Sequence, residues 1–600
     1  MMEAVLLKQK HGRRAKLNQP IGRLRSNIKR LIERELLELS DSPRKALELS
    51  TSTILKLHGT EFTYKINIMK NKSLFISGGL SLFALFAFIG MQQTSNGLDN
   101  VSKAAAAKAG QDWPVWTRDG SGNLYSSEKN LPSKFEPGEF KIGTEDIDMS
   151  TTKNVLWISK LGSQSYGNTT VSNGKVYVGT NNESPRDKRH IGDRGIVYCL
   201  DEKTGAFEWQ LVVPKLGAGK VSDWEYLGIC SSPAIEGNRV YVVANSCEIL
   251  CLDTEGMKNG NQGFQGEGKF MADKGKGSLE PNNLDADIIW RYDMRKELGV
   301  FPHNIASSSV LIVGDLLFCT TSNGQDWSHI NIPAPLSPCI IALNKKDGTL
   351  AGEEAEGIGN AILHCNWSSP AKGKVKGKDA VFFGGGDGVL YAFDTKFKKD
   401  DEGYDIFNAH WKYDCNPADY KKDKNGKEIK YPAAEGPSEL IATPTYYNGN
   451  VYVAIGQDPE HGEGAGCLSC IDADTGKKVW ESKKIKRSIS TCAIDPSNDL
   501  LFAADYSGYV YCFDAKNGEL YWVYDQKAHM WGSPLVADGK VYIGDEDGDF
   551  VVLASDKKMK VLSETYFPAP IYSTPIVANG VLYVATQSHL YAIYDEARAK

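Results

Sequence analysis

L-S-C-I-D-A-D-T-G-K-K-V-W, residues 468–480, decides the fold. Alternating apolar residues make a half-buried strand, Thr-Gly centres a turn, and a second strand carries Trp. The phrase returns as V-Y-C-L-D-E-K-T-G-A-F-E-W (197–209) and as V-Y-C-F-D-A-K-N-G-E-L-Y-W (510–522). A second phrase, V-Y-V-like, recurs at 176–179, 451–454 and 541–544. A third, Ser-Pro or Thr-Pro, begins at Ser232, Ser369, Thr443, Ser533 and Thr574. A repeated four-strand unit cannot bury its own apolar faces, so it must stack on its neighbours. Radial stacking makes the chain an all-β propeller.

Within one unit, strand A carries the Ser-Pro phrase, B the V-Y-V phrase, C the apolar-Asp phrase and D the Trp. B strands begin near Val176, Val240, Leu316, Val381, Val451, Leu501, Val541 and Leu582, which predicts an eight-bladed β-propeller of four-stranded blades. Asn-Gly and Asp-Gly pairs at 173, 448, 538 and 579 supply the A–B turns. The last unit ends at 591–593 with no D strand, while a spare D-like strand, N-V-L-W-I, stands at 154–158. An N-terminal strand is therefore expected to close the ring and remove a sheet edge. Trp209, Trp290, Trp411, Trp480 and Trp522 are read as packing between blades. Cys199, Cys251, Cys470 and Cys512 share one repeat position with Ala342, Ala392 and Ala592, so that position takes a small packing residue. Cys467 and Cys470, three apart on a strand, point to opposite faces, which argues against a redox or metal pair.

At 41% apolar residues and a formal net charge of −6, the 600-residue chain can bury a large core and is not a general nucleic-acid binder. Residues 1–68 are basic. Met69-Lys-Asn-Lys72 then leads into an apolar run at 73–90. That order is an export signal or signal-anchor over 69–97. Such a signal normally opens a chain, so Met69 is the expected start and 1–68 an upstream translation artefact. The alternative is a basic cytoplasmic arm before a single span. Residues 98–150 are read as tether and lead-in, and 151–595 as the propeller, lying outside the cytoplasm in the periplasm or anchored to the membrane. A monomer is expected.

The B–C and D–A loops share one face of a propeller. Three B–C loops there are enlarged: 182–195 in blade 1 with Asp187 and His190, 322–335 in blade 3 with Asp326 and His329, and 456–466 in blade 5 with Asp458, Glu460 and His461. The D–A loops add His303, Asn304, His364, Trp367 and Trp531. Loops on a rigid scaffold carry function, so this face is the expected binding site, with the enlarged B–C loops of blades 1, 3 and 5 expected to gather around the axial mouth. Any single His or Asp there equally suits an ordinary loop cap. His329, His461, Asp458 and Glu460 have the donor types of a divalent-cation site. The insertion at 254–287 is read as a flexible excursion on the opposite face, and 417–439 as a second insertion entering the D–A face.

The A-x-D-x-x-T-G-x-x-x-W pattern resembles the pyrroloquinoline-quinone (PQQ) type propeller repeat, over roughly 113–595. That family includes quinoprotein alcohol dehydrogenases and exported propellers without enzymatic activity. Phrases such as F-P-H-N (301–304), W-S-S-P (367–370) and G-Q-D-P-E-H-G-E-G (456–464) resemble exported PQQ-like propellers of undefined role. The resemblance implies a scaffold that binds a protein or small molecule, or else a dehydrogenase using PQQ with calcium. The dehydrogenases carry a vicinal Cys pair; this chain has none. Their calcium ligands and catalytic Asp find no matching motif here.

Overall fold

Strand C of blade 5 (Leu468–Asp472) and its strand D (Lys478–Ser482) flank the Thr-Gly turn in the expected places. In the register of that sheet Tyr452 faces Cys470, and Cys470 faces Trp480. The same aromatic–small–Trp row recurs as Tyr177–Cys199–Trp209, Tyr241–Cys251–Trp290, Phe382–Ala392–Trp411 and Phe502–Cys512–Trp522. Facing residues on adjacent strands have Cβ atoms about 5 Å apart, so only a small side chain fits between two rings. A register shift follows the small residue in each of these C–D pairs.

Each indole then reaches the next blade. Trp209 Nε1 donates to the Thr254 carbonyl (2.9 Å), Trp411 to Ala473 (2.8 Å), Trp480 to Ala515 (2.9 Å) and Trp522 to Asp556 (2.9 Å). The acceptors lie at C–D turns, where the turn glycine lets the ring approach. A Cβ on Gly205 (φ +67°) would stand 2.5 Å from the Trp157 ring.

This computed structural model describes residues 112–595 and the backbone of an antiparallel hairpin, Thr53–Leu57 with Thr60–Tyr64. The expected export segment (69–97) and, apart from that hairpin, the basic arm lie outside the described residues. Among the described residues no helix is long and apolar enough to cross a membrane.

Eight four-stranded blades form the propeller, each paired in the order A-B-C-D. Blade 8 is completed by Val155–Lys160, which pairs antiparallel with His589–Ile593 and sets Trp157 opposite Ala592. The ring is thus closed by an N-terminal strand, as the missing last D strand requires.

The Ser/Thr-Pro phrase proves to be an inter-blade bond. Ser232 N donates to Ser309 Oγ (3.0 Å), Ser309 N to Ser369 Oγ (2.9 Å), Thr443 N to Thr491 Oγ1 (3.1 Å), Thr491 N to Ser533 Oγ (2.9 Å) and Ser533 N to Thr574 Oγ1 (3.0 Å). Thr574 N donates to Asn168 Oδ1 at 2.7 Å, crossing from blade 8 to blade 1. Near the axis, where strands converge, these hydroxyl groups satisfy backbone N–H groups left outside the sheet ladders.

Residues 112–128, expected as part of a lead-in, run around the axis at the A–B end. Trp113 pairs with Val171 of blade 1, Pro114 O accepts from Ile235 N of blade 2, and Gly120 O from Lys372 N of blade 4. Ser121 O then accepts from Tyr446 N of blade 5, Asn123 Oδ1 from Ile494 N of blade 6, and Leu124 O from Val536 N of blade 7. Trp113 and Leu124 are fully buried. The segment is a plug that visits strand A of successive blades.

Two readings of the insertions are corrected. The 254–287 insertion is not a free excursion. It carries a helical turn (Glu267–Phe270), buries Met271, Asp285 and Asp287, and bridges Gln210 through Asp285 along the outer edge of blade 1. The blade 1 B–C loop does not gather at the axial mouth. Arg189 pairs with Asp187 (2.6 Å) and Asp285 (2.7 Å), which holds that loop against the insertion at the rim. In both places an exposed sheet edge is covered.

Candidate functional site

The D–A loops before blades 3 and 4 bring His303 and His364 together, both buried, with Nε2 atoms 2.8 Å apart. His303 Nδ1 donates to the Gln325 carbonyl at 2.6 Å, so Nε2 carries its lone pair. His364 turns Nδ1 towards Glu439 Oε1 at 3.6 Å. The B–C loops of blades 3 and 5 lay His329 and His461 over this pair. Ring centroids are 5.1 Å apart for His303–His329, 4.7 Å for His329–His364, 4.9 Å for His364–His461 and 5.1 Å for His329–His461. Tyr431 packs edge-on against His461 at 5.4 Å, and Trp367 against His364 at 5.1 Å.

Burial sets the charge states. It lowers His303 to about 3, with His364 adding to the shift, and lowers His364 and His461 to about 4. All three imidazoles are therefore neutral near pH 7. The same burial raises Glu439 to about 8 and Asp458 to about 6.

Beside the cluster, the axial mouth opens into a pocket of ≈ 450 Å³. Trp224, Trp367, Trp531 and Tyr166 form its aromatic walls, and Asp458 and Glu460 supply its carboxylates; its lining holds no Lys or Arg. One wall is braced. Tyr166 stacks on Tyr572 at 4.7 Å, Trp531 lies 5.5 Å from both, and Trp531 Nε1 donates to Glu546 Oε2 at 2.9 Å. Farther down the channel Trp116, from the plug, lines the floor and bonds Thr443 Oγ1 at 2.9 Å.

The residues singled out in the sequence divide into three groups. His303, His329, His364 and His461 converge, with Trp367 against them. Asn304, Trp367, Asp458, Glu460 and Trp531 line the pocket. Asp326 stands apart, since it accepts from Ser328 N at 3.0 Å and Asn331 Nδ2 at 3.0 Å and so caps its own turn. Glu460 does not join the histidines, as it faces Lys220 at 3.6 Å. Asp458 caps the turn Pro459–His461 by accepting from Glu460 N at 2.7 Å, which aims His461 inward.

Tyr431 and Glu439 were missed. Both lie in the 417–439 insertion, whose lysine-rich start hides them. The one signal was a carboxylate at 439 in the apolar lead into Thr443-Pro444, where burial leaves it no water.

Comparison with known proteins gives the chain its relatives. The family model described as outer membrane protein assembly factor BamB matches residues 147–399 and 464–562, and the chain belongs to this family of PQQ-like propellers. Tetrathionate hydrolase of Acidithiobacillus ferrooxidans is 30% identical over 133 residues, 22% of this chain and 24% of that protein, so the chain spans about a quarter of the curated relative's length. Among solved structures, BamB from Moraxella catarrhalis aligns with a TM-score of 0.47 and 15% identity, over 73% of this chain and 99% of that one. A europium-containing methanol dehydrogenase aligns at 0.49 and 13% identity, over 81% and 98%.

Proposed function

We propose that this member of the PQQ-like propeller family is an exported binding protein that takes a small planar organic molecule, neutral or cationic, into the axial pocket. The observation that carries the reading is the pocket itself. It is concave, walled by three indoles and a phenol, and the acidic groups of its lining are the carboxylates of Asp458 and Glu460. Ligand sites are typically apolar and aromatic, with a few placed polar groups. Aromatic faces beside carboxylates favour cations over anions. Export is supported by the basic-then-apolar order of residues 69–90.

PQQ does not fit this lining. It carries three carboxylates, whereas the pocket offers two of its own, and the one cation at its edge, Lys220, is engaged by Glu460 at 3.6 Å and by the Trp224 ring at 3.9 Å. No adjacent Cys pair stands beside it. A second reading, docking of a protein on the rim, is favoured by Trp327, Ile330 and Leu336, which stand exposed on the blade 3 B–C loop.

Titration of tryptophan fluorescence tests the proposal, with thioflavin T as a planar cation and PQQ plus Ca²⁺ as the competing ligand. Thioflavin T is expected to bind with one site that Trp531→Ala weakens at least about tenfold, a loss of 1.4 kcal/mol. PQQ with Ca²⁺ is expected to give neither stoichiometric binding nor dye-linked alcohol oxidation. Tight PQQ binding with substrate-dependent dye reduction would overturn the reading in favour of the dehydrogenase.

A further inference from the structure

We infer that His303, His329, His364 and His461 form a binding site for one first-row divalent transition-metal ion, of the class that zinc and cobalt represent. The inference stands on geometry and does not depend on what occupies the pocket. One ring nitrogen from each of His303, His329 and His364 lies within 4.8 Å of the others. At a tetrahedral ion with metal–nitrogen bonds near 2.0–2.1 Å, two ligand nitrogens stand about 3.3 Å apart, so small ring rotations bring these three into place. His461 Nε2 is a buried nitrogen without a hydrogen-bond partner, and its ring lies 4.9–5.1 Å from those of His364 and His329. It supplies a fourth donor.

The surroundings have the form that orients metal-binding imidazoles. Ligating histidines usually give their second ring nitrogen to a carbonyl or carboxylate, which fixes which nitrogen faces the ion. His303 gives Nδ1 to the Gln325 carbonyl. His364 Nδ1 lies 3.6 Å from Glu439 Oε1, beyond hydrogen-bond distance, and its Nε2 stands 2.8 Å from that of His303. Both therefore aim Nε2 into the same space. Glu439 is itself held, because its Oε2 accepts from Cys365 N at 3.0 Å. Imidazole donors suit zinc, cobalt, copper and nickel, not calcium, whose sites are built from oxygen. The four ligands come from four separate loops on blades 3, 4 and 5, so the ion also ties those loops together. The other candidate group, Asp187, His190 and Asp285, already has the Arg189 guanidinium on both carboxylates.

The test uses the purified full chain, stripped with a chelator and titrated with Co²⁺ and then Zn²⁺. One Co²⁺ per chain is expected, with visible bands of a four-coordinate nitrogen site that one Zn²⁺ abolishes. His461→Ala sits on a half-exposed loop and should leave the fold of the stripped protein intact, yet weaken the metal at least tenfold. Glu439→Gln, a positioning change, should cost about 10–100-fold and leave the cobalt spectrum four-coordinate. His190→Ala should leave the metal affinity and the cobalt spectrum unchanged. Absence of stoichiometric binding to folded wild-type protein overturns the inference. So does binding that is unaffected by His461→Ala, or that is lost in His190→Ala alone. Thioflavin T binding in the pocket is read separately, so either proposal can fail without the other.

Discussion

At the scale of single residues, the repeated Trp does two jobs. It fills the space beside a Cys or Ala within its own sheet, and it bonds a carbonyl of the next one. Trp209 is fully buried, and its indole is 2.9 Å from the Thr254 carbonyl. Replacing it by Phe keeps most of the ring but removes one of that carbonyl's two donors, Lys175 Nζ remaining at 2.9 Å. A lost hydrogen bond costs about 0.5–1.5 kcal/mol. Trp209→Phe is therefore expected to lower the unfolding free energy by that amount, read as a lower denaturation midpoint with little change in the slope of the transition. An unchanged midpoint would mean that Lys175 alone satisfies the carbonyl. The histidines obey a different rule. Each is unremarkable in its own loop, and each gains meaning from the others.

At the scale of elements, the closing strand Val155–Lys160 holds the ring shut, and its partner strand begins at His589. His589 is 3% exposed, and burial first, then Lys160, lower it to about 4. In the unfolded chain a His titrates near 6.5, so below that pH the unfolded state binds a proton that the folded state refuses. The sign follows: stability is full above 6.5 and is lost as pH falls towards 4. The shift is worth on the order of 3 kcal/mol. His303, His364 and His461, lowered by burial in the same way, add to the loss over this range, so His589→Gln should make the stability profile shallower between pH 6.5 and 4 by one histidine's share. If the profile of the variant follows the wild type, the acid sensitivity belongs to other buried groups.

For the whole molecule, closure depends on three devices acting together: the closing strand, the hydroxyl bonds near the axis, and the 112–128 plug. The plug is placed by contacts that are individually small and far apart in sequence. Gly122 tests it. Its φ is +86°, and a Cβ there would stand 2.0 Å from the Pro444 carbonyl. Gly122→Ala must strain the backbone or lift the plug from blade 5, at about 1–3 kcal/mol or more. A lower melting temperature is expected, with faster proteolysis within 112–128. A variant as stable and as resistant as wild type would show that the plug can reseat.

Blade number, strand order and the closing strand were legible in the amino-acid sequence. They follow from short-range periodicity and from a repeat that must stack, and both are written in neighbouring residues. The shared face of the B–C and D–A loops was legible for the same reason, since strand alternation dictates it. What only the tertiary structure decided was direction within that face. His303, His329, His364 and His461 meet, whereas Asp326 caps its own turn and Glu460 turns to Lys220. Loop side chains are aimed by partners distant in sequence, such as the Gln325 carbonyl that holds His303, and no periodicity records them. The insertions behave likewise. Glycine and lysine content reads as freedom along the chain, yet the 254–287 segment is held by Asp285 and Asp287, buried at the edge of a neighbouring blade. Local pattern specifies the strands because strand burial is local; the plug, the insertions and the histidine cluster rest on contacts between residues tens to hundreds of positions apart.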